Sequence, residues 1–104
     1  MRNLILPIAL ALAGLGTPMP AAATLFCTVL KTPDGFVALR AAPSPRARLI
    51  ARMQPGDEVE ALEGSRNGWQ EVYHWHGLDR LDPAKRADKR HGWAWSRYIS
   101  EECG

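Results

Sequence analysis

After residue 23 the sequence lacks any long segment in which apolar side chains recur with the 3.6-residue period of an α-helix. It also lacks internal repeats and low-complexity runs. The first absence argues against a helical bundle, and the second argues against a repeat array or a disordered tract. Short apolar runs separated by glycine and proline turns remain, and this pattern predicts an all-β fold.

The sequence also lacks a large excess of either charge. It has 13 Lys and Arg residues, 11 Asp and Glu residues and a formal net charge of +2. Domains that bind nucleic acid carry a basic patch and a strong positive excess. We therefore expect no nucleic-acid partner.

The N-terminus contains an apolar run that follows Arg2. Ala21 and Ala23 are small residues at positions −3 and −1 of a cleavage site after Ala23. A short positive end, an apolar core and small residues before the cut are the layout of a secretory signal peptide. The sequence therefore predicts a signal peptide over residues 1–23, a single domain over residues 24–104, and a secreted or periplasmic protein.

Two alternatives would keep this end of the chain in a membrane. An uncleaved anchor is favoured by the absence of charge between residues 3 and 30. Its apolar core is nevertheless short for a span of roughly 20 residues. A lipid on Cys27 would need small residues before it, and Phe26 is large. We expect membrane contact only through the signal peptide, during export.

The sequence has only two cysteines, Cys27 and Cys103. In an exported protein the default state of such a pair is a disulfide, with two unpaired thiols as the alternative. Closing so long a loop stabilises the folded state by on the order of 4 kcal/mol in the loop-entropy model. The bridge also predicts that the first and last strands lie side by side.

Five or six short segments are rich in strand-forming residues: residues 25–30, 36–40, 48–53, 58–62, 69–75 and 92–95. Asn67-Gly68, between two of them, is a strong hairpin signal. A charged segment over residues 76–91 breaks this rhythm. Asp82 and Pro83 suit a helix start, and basic residues near its end predict a short helix or helical turn over residues 83–90.

Four motifs occur in an order that resembles the bacterial SH3 domain family: Val37-x-Leu39-Arg40-x-x-Pro43-Ser44, Met53-x-x-Gly56-x-x-Val59, Gly68-Trp69-x-x-Val72, and Gly92-Trp93 leading to Tyr98-Ile99. The resemblance implies a small, partly open SH3-like β-barrel whose two ends meet on one side, where the disulfide would join them. The sequence departs from the family where Ala38 replaces the usual asparagine, and where residues 76–91 replace a short hairpin.

Parts of the sequence also resemble eukaryotic SH3 domains, which bind proline-rich peptides between aromatic ridges. Carried over by position, Trp69 matches the groove tryptophan, Trp95 the groove proline and Tyr98 the last tyrosine. The two tyrosines of the first motif fall on Arg40 and Ala42. Since half of the aromatic groove is replaced, a proline-rich ligand is not supported.

The sequence also lacks a tight catalytic or metal-binding motif. Cys27 could be a nucleophile with a histidine, but a disulfide would consume its thiol. Acidic residues at turns are commonly solvated, and we expect this for Asp34, Asp57 and Glu58. His74 and His76 could share a metal with His91 and Asp79, although their spacing is not that of a ligand motif. We predict no enzyme, no metal and no cofactor, and keep a periplasmic metal-binding protein as a minor alternative.

The charged segment carries Arg80, Lys85, Arg86, Lys89 and Arg90. Such a cluster could contact an anionic cell-wall polymer or lipid headgroups. Asp79, Asp82 and Asp88 dilute it, so we interpret this segment as a solvated loop.

Alternate residues of a strand face opposite sides, so Trp93 and Trp95 share one face and Ala94 lies on the other. Ala94 is the better candidate for the core; if Trp93 fills the core instead, only Trp95 and Tyr98 are left for contact. With Trp69 and Tyr98 nearby, the four aromatic residues predict a shallow ligand-binding surface. We predict a non-catalytic binding module of the cell envelope that recognises cell-wall peptide or an envelope protein. The alternative is a small accessory subunit that buries this aromatic face against a larger envelope protein.

Overall fold

The computed structural model describes residues 25–100 and Cys103, and the predicted signal peptide lies outside these residues. Six antiparallel strands form one sheet in the order β1-β4-β5-β6-β2-β3. The strands are β1 Leu25–Thr28, β2 Val37–Arg40, β3 Leu49–Met53, β4 Glu58–Arg66, β5 Trp69–Trp75 and β6 Arg90–Trp95. The predicted all-β fold with up to six short strands is confirmed.

Helical structure in the described part of the chain is limited to three 3-10 turns, Asp79–Leu81, Arg86–Asp88 and Ser96–Tyr98. None of the helices in residues 25–100 is long and apolar enough to cross a membrane.

The core forms on one side of the sheet because buried and less buried residues alternate along its strands. In β2, Val37 and Leu39 are buried while their neighbours are only partly covered. Ala94 is completely buried and belongs to the same apolar cluster, which confirms that it faces the core. The cluster comprises Cys27, Val29, Val37, Leu39, Met53, Val59, Val72, Ala94 and Ile99.

The two ends of the domain meet, and Cys27 and Cys103 form the predicted disulfide with their Cα atoms 4.4 Å apart. The prediction that the first and last strands lie side by side is wrong. Strand β1 pairs with β4, and β6 lies between β5 and β2. The 3-10 turn after β6 redirects the chain, so that Ile99 forms the bridge to Val29 beyond the end of β1.

The segment over residues 76–91 contains two 3-10 turns, so residues 83–90 form the predicted helical turn, at Arg86–Asp88, and not a continuous helix. In an α-helix the carbonyl of Arg86 would accept the N–H of Arg90. Here that carbonyl accepts the indole N–H of Trp75 at 2.9 Å, and Arg90 already belongs to β6, opposite His74. Packing against Trp75 and pairing in the sheet therefore replace the helical hydrogen bond.

Candidate ligand-binding groove

A groove of about 560 Å³ opens on the surface and has two walls that come from different parts of the chain. One wall is formed by Asp34, Phe36, Val37, Ala38, Arg40 and Pro45. The other is formed by Asn67, Trp69, Trp95 and Tyr98. Three of the four predicted binding residues, Trp69, Trp95 and Tyr98, therefore line the same groove.

Trp69 and Trp95 face each other across β5 and β6. Their ring centroids are 5.4 Å apart and the ring planes meet at 67°, an edge-to-face contact. Both side chains are half-buried, so each ring packs on one side and borders the groove on the other. The pair forms a fixed aromatic ridge because each ring limits the rotation of the other.

The hairpin turn between β4 and β5 holds this ridge in place. Asn67 has φ of 49° and Gly68 has φ of 88°, the left-handed conformations that an Asn-Gly hairpin turn uses. A Cβ atom on Gly68 would lie 2.7 Å from two ring carbons of Trp95. Gly68 is therefore required both by its backbone conformation and by the ring that lies over it.

Tyr98 belongs to the 3-10 turn Ser96–Tyr98, which is tied to the rest of the fold at both ends. The N–H of Ser96 donates to the carbonyl of Gly68 at 2.8 Å, and the carbonyl of Tyr98 accepts the N–H of Leu30 at 2.9 Å. The side chain of Tyr98 is 42 % exposed. The backbone is thus fixed while the phenol remains available to a ligand.

The opposite wall carries an aromatic residue that the sequence analysis did not assign to the site. Phe36 follows the turn after β1, and the guanidinium of Arg52 lies 5.1 Å from the centroid of its ring. Arg40 also lines this wall, and its Nη1 donates to the carbonyl of Ala47 at 2.9 Å, which fixes the loop that carries Pro45. Phe36 follows a Pro-Asp-Gly turn, but only the fold brings it to the same groove as Trp95.

Trp93, the fourth predicted residue, does not line the groove. It lies opposite Glu71 in β5, and its ring reaches over β4, where a Cβ atom on Gly64 would be 2.8 Å from a ring carbon. Its half-buried side chain therefore covers the outer side of the sheet next to the groove. A ligand-binding role for Trp93 stays a prediction.

At the other end of β5, two polar residues form a buried pair that the sequence did not predict. His74 and Asp57 are only 2 % and 3 % exposed. The distance between His74 Nε2 and Asp57 Oδ2 is 2.8 Å. Asp57 also accepts the backbone N–H groups of Gln54 at 2.9 Å and Gly77 at 2.8 Å. The expectation that Asp57 is a solvated turn residue is therefore wrong.

The charge state of the pair follows from its surroundings. Burial would raise the pKa of Asp57, but the hydrogen bonds from Gly77, His74 and Gln54 outweigh it and hold that pKa below its ordinary value. Burial lowers the pKa of His74 by more than the Asp57 carboxylate raises it. His74 is therefore neutral near pH 7 and donates its Nε2–H to the Asp57 carboxylate. Within the described residues its buried Nδ1 has no hydrogen-bond partner, which also disfavours the protonated ring.

The histidines do not assemble as the metal alternative requires. His74 is bound to Asp57, while His91 Nε2 contacts Glu71 Oε2 at 2.5 Å on a different part of the sheet. No group of three or more His, Cys, Asp or Glu residues that could hold a metal occurs in the part of the chain described here. The buried pair joins the turn before β4, the end of β5 and the start of the 76–91 segment.

The model of the bacterial SH3 domain family matches residues 35–100, more than half of the sequence. The chain belongs to the bacterial SH3 domain family. The match covers the 76–91 segment and all of the groove-lining residues except Asp34, but not β1. No curated protein and no solved structure matches the chain. Membership indicates a non-catalytic binding module, and together with the intramolecular disulfide it is consistent with an extracytoplasmic bacterial SH3 domain.

Proposed function

We propose that this bacterial SH3 domain is a non-catalytic module of the cell envelope that holds an extended peptide, from the cell wall or from an envelope protein, in the groove. The observation that carries the proposal is that aromatic side chains from two parts of the chain line one groove, Phe36 from one part and Trp69, Trp95 and Tyr98 from the other. Aromatic anchors that are fixed before binding lose little conformational freedom when a ligand packs on them.

The polar residues of the groove support a peptide rather than a purely apolar ligand. Asp34 and Arg40 place one negative and one positive group on the same wall. An extended peptide presents apolar and polar groups on alternate sides, so it can pack on the tryptophan ridge and reach this charged wall at the same time. A peptide that carries both an ammonium and a carboxylate group fits both charges.

Binding to purified cell wall tests the proposal. Trp95→Ala is expected to lower the affinity by roughly tenfold or more, because a central aromatic anchor typically contributes 2 kcal/mol or more. Trp93→Ala is the comparison, since it removes the same side chain from the same face of β6 outside the groove. If the groove is the site, this variant is expected to bind as the unaltered protein does, and that result would end the predicted ligand-binding role of Trp93. Equal retention of Trp95→Ala and the unaltered protein would refute the groove as the site.

The second candidate is an accessory subunit that covers its aromatic face with a larger envelope protein. The exposure of Tyr98 beside the tryptophan ridge favours this candidate as well, because such a face is also suited to a protein interface. A stable envelope protein that co-purifies with the domain and is lost on Trp95→Ala, without retention on cell wall, would support the subunit and exclude the cell-wall ligand.

A further inference from the structure

The segment over residues 76–91, which we call the 76–91 loop, is fixed firmly to the sheet. The Asp57 carboxylate holds its first residues at Gly77, and the Trp75 indole holds Arg86. Arg80 donates from Nε and Nη2 to the two carboxylate oxygens of Glu58 at 3.0 and 3.2 Å, and its guanidinium lies 3.8 Å from the centroid of the Phe26 ring. The conformation of the loop is therefore set by contacts that span its length.

This fixed loop presents two leucines to the solvent. Leu78 is 66 % exposed and Leu81 is 59 % exposed, the highest values among the large apolar residues described. The N–H of Leu81 donates to the carbonyl of Leu78 at 2.9 Å. Residues three apart on a 3-10 turn lie on the same side, so the two side chains form one apolar tip.

The loop that carries this tip also carries exposed cations. Lys85, Arg86, Lys89 and Arg90 are all exposed. Of the three acids in the loop, Asp82 accepts the N–H of Ala84 and is half-buried, as is Asp79, which leaves Asp88 as the exposed one. The acids therefore dilute the positive charge less than their number in the sequence suggests.

We propose that the 76–91 loop docks the domain on an anionic phospholipid surface. Leu78 and Leu81 enter the boundary between headgroups and acyl chains, and the four cations contact the headgroup phosphates. A sugar-phosphate polymer would match the cations but offers no apolar phase for the leucines. A folded protein would need a matching pocket for both leucines, whereas the headgroup boundary of a membrane accepts them without one. This surface is additional to membrane contact through the signal peptide.

Docking through this loop also orients the proposed groove. In the β5–β6 pair, Trp69 and Trp95 lie at one end, and His74 and Arg90 lie at the other. Five residue steps along a strand cover roughly 17 Å. A domain docked through its 76–91 loop therefore holds the groove away from the membrane, where it is open to a ligand in the surrounding space. Leucine docking does not depend on what the groove binds.

Flotation with lipid vesicles tests the proposal on the purified, disulfide-bonded protein. Binding is expected to vesicles of equal parts phosphatidylglycerol and phosphatidylcholine, but not to phosphatidylcholine alone. The double variant Lys85→Gln/Arg86→Gln is expected to bind roughly tenfold or more weakly, since each cation near an anionic surface contributes about fivefold. Arg66→Gln/Arg97→Gln removes two exposed cations elsewhere and is the charge-matched control, with little expected change.

Variants of the two leucines distinguish membrane docking from simple attraction between charges. Leu78→Ser/Leu81→Ser is expected to lose at least tenfold in affinity for the anionic vesicles, because two inserted side chains are removed. Leu49→Ser, a change at an exposed leucine of β3, is the matched control and is expected to bind normally. All variants keep the same N-terminal segment, so any contribution from that segment cancels.

A gain-of-signal variant covers the case in which a double variant does not fold. Leu78→Trp is expected to show blue-shifted emission on anionic vesicles and quenching by bromine-labelled acyl chains, whereas Leu49→Trp is not. Three results would overturn the proposal: no binding to anionic vesicles, equal binding by the leucine variant, or soluble polyphosphate binding that matches vesicle binding and ignores the leucines. Capture of a folded envelope protein by the leucine tip without vesicle binding would overturn it too.

Discussion

At the scale of single residues, the His74–Asp57 pair shows how a turn acid becomes part of the core. Burial of the Asp57 carboxylate removes its hydration, and three hydrogen-bond donors compensate for the lost contacts with water. His74 supplies one of them from its neutral form, and burial makes protonation of the ring less favourable in the folded protein than in water. Arg90 and His76 act in the same direction, since their charges lower the pKa of His74 further.

The free energy of unfolding is therefore expected to fall as the pH is lowered from 7 towards 5. The pKa of His74 is lowered in the folded protein, so the unfolded chain takes up its proton first, starting near the ordinary value of about 6.5. Between the two pKa values the unfolded state binds more protons, and stability decreases with falling pH. The pKa of Asp57 is also lowered, and its contribution is lost only in stronger acid. Urea unfolding at a series of pH values measures the slope.

His74→Gln is expected to flatten this slope, because glutamine can still donate to Asp57 but does not titrate. His76→Gln changes a neighbouring exposed histidine whose charge lowers the pKa of His74, so it is expected to reduce the slope by less than His74→Gln does. The same slope in His74→Gln and in the unaltered protein would contradict the assignment of the proton to His74.

Gly68→Ala is expected to destabilise the domain by more than about 1 kcal/mol and to weaken ligand binding in the groove. Alanine is strained at φ of 88°, and its Cβ would displace the Trp95 ring. Gly56→Ala is the matched control, because Gly56 has φ of 89° but no atom within 4 Å of the added Cβ. Thermal melting and ligand titration of both variants separate backbone strain from displacement of the ring, and equal losses in both would exclude a role for the ring.

At the scale of elements, the 76–91 loop replaces a tight hairpin and covers one end of the sheet. Trp75 is 5 % exposed and lies 6.3 Å from Phe26, ring centroid to centroid, in an edge-to-face contact. Lys89 Nζ lies 4.2 Å from the centroid of Tyr73 and 6.0 Å from that of Trp75. The loop therefore supplies cations to an aromatic cluster that β1 and β5 would otherwise leave uncovered.

Trp75→Phe is expected to loosen this loop while the sheet stays folded. The change removes the indole N–H that holds the Arg86 carbonyl, at a cost of about 1 kcal/mol, and keeps an aromatic ring in place. Hydrogen exchange is expected to become faster in residues 79–88 and to remain slow in β2 and β6. Unchanged exchange in the loop would show that the other contacts of the loop fix it without the indole.

At the scale of the whole molecule, the disulfide fastens the two ends of the described domain. The bridge Val29–Ile99 and the hydrogen bond from the Ser100 N–H to the Thr28 carbonyl at 2.8 Å already bring these ends together. Cys27 belongs to the apolar core and Cys103 packs against it, so the bond also lies against the main cluster.

Replacing both cysteines, as Cys27→Ser/Cys103→Ser, is expected to lower the free energy of unfolding by on the order of 4 kcal/mol. Most of this loss comes from the greater freedom of the unfolded chain, so the groove is expected to bind its ligand unchanged where the variant is folded. Denaturant unfolding gives the first quantity, and ligand titration gives the second. A variant of unaltered stability would contradict a stabilising role for the bond.

The sequence by itself determined the features that depend on near neighbours along the chain. Alternating apolar residues predicted the strands and the inward position of Ala94, and Asn67-Gly68 predicted the hairpin, because these signals act over a few residues. The two cysteines predicted the disulfide, since two thiols in an oxidising compartment allow only one pairing. Trp69, Trp95 and Tyr98 were predicted together from their matches to SH3 motifs and from the side of the strand they occupy.

Only the tertiary structure decided which distant residues meet. Phe36 completes the groove because β2 pairs with β6, and His74 reaches Asp57 because β4 pairs with β5. The first and last strands do not pair, although their cysteines do. Leu78 and Leu81 resemble any loop leucines in the sequence, and it is the anchored loop that holds them in solvent. Such contacts depend on side-chain packing across the sheet, which local periodicity and turn chemistry do not encode.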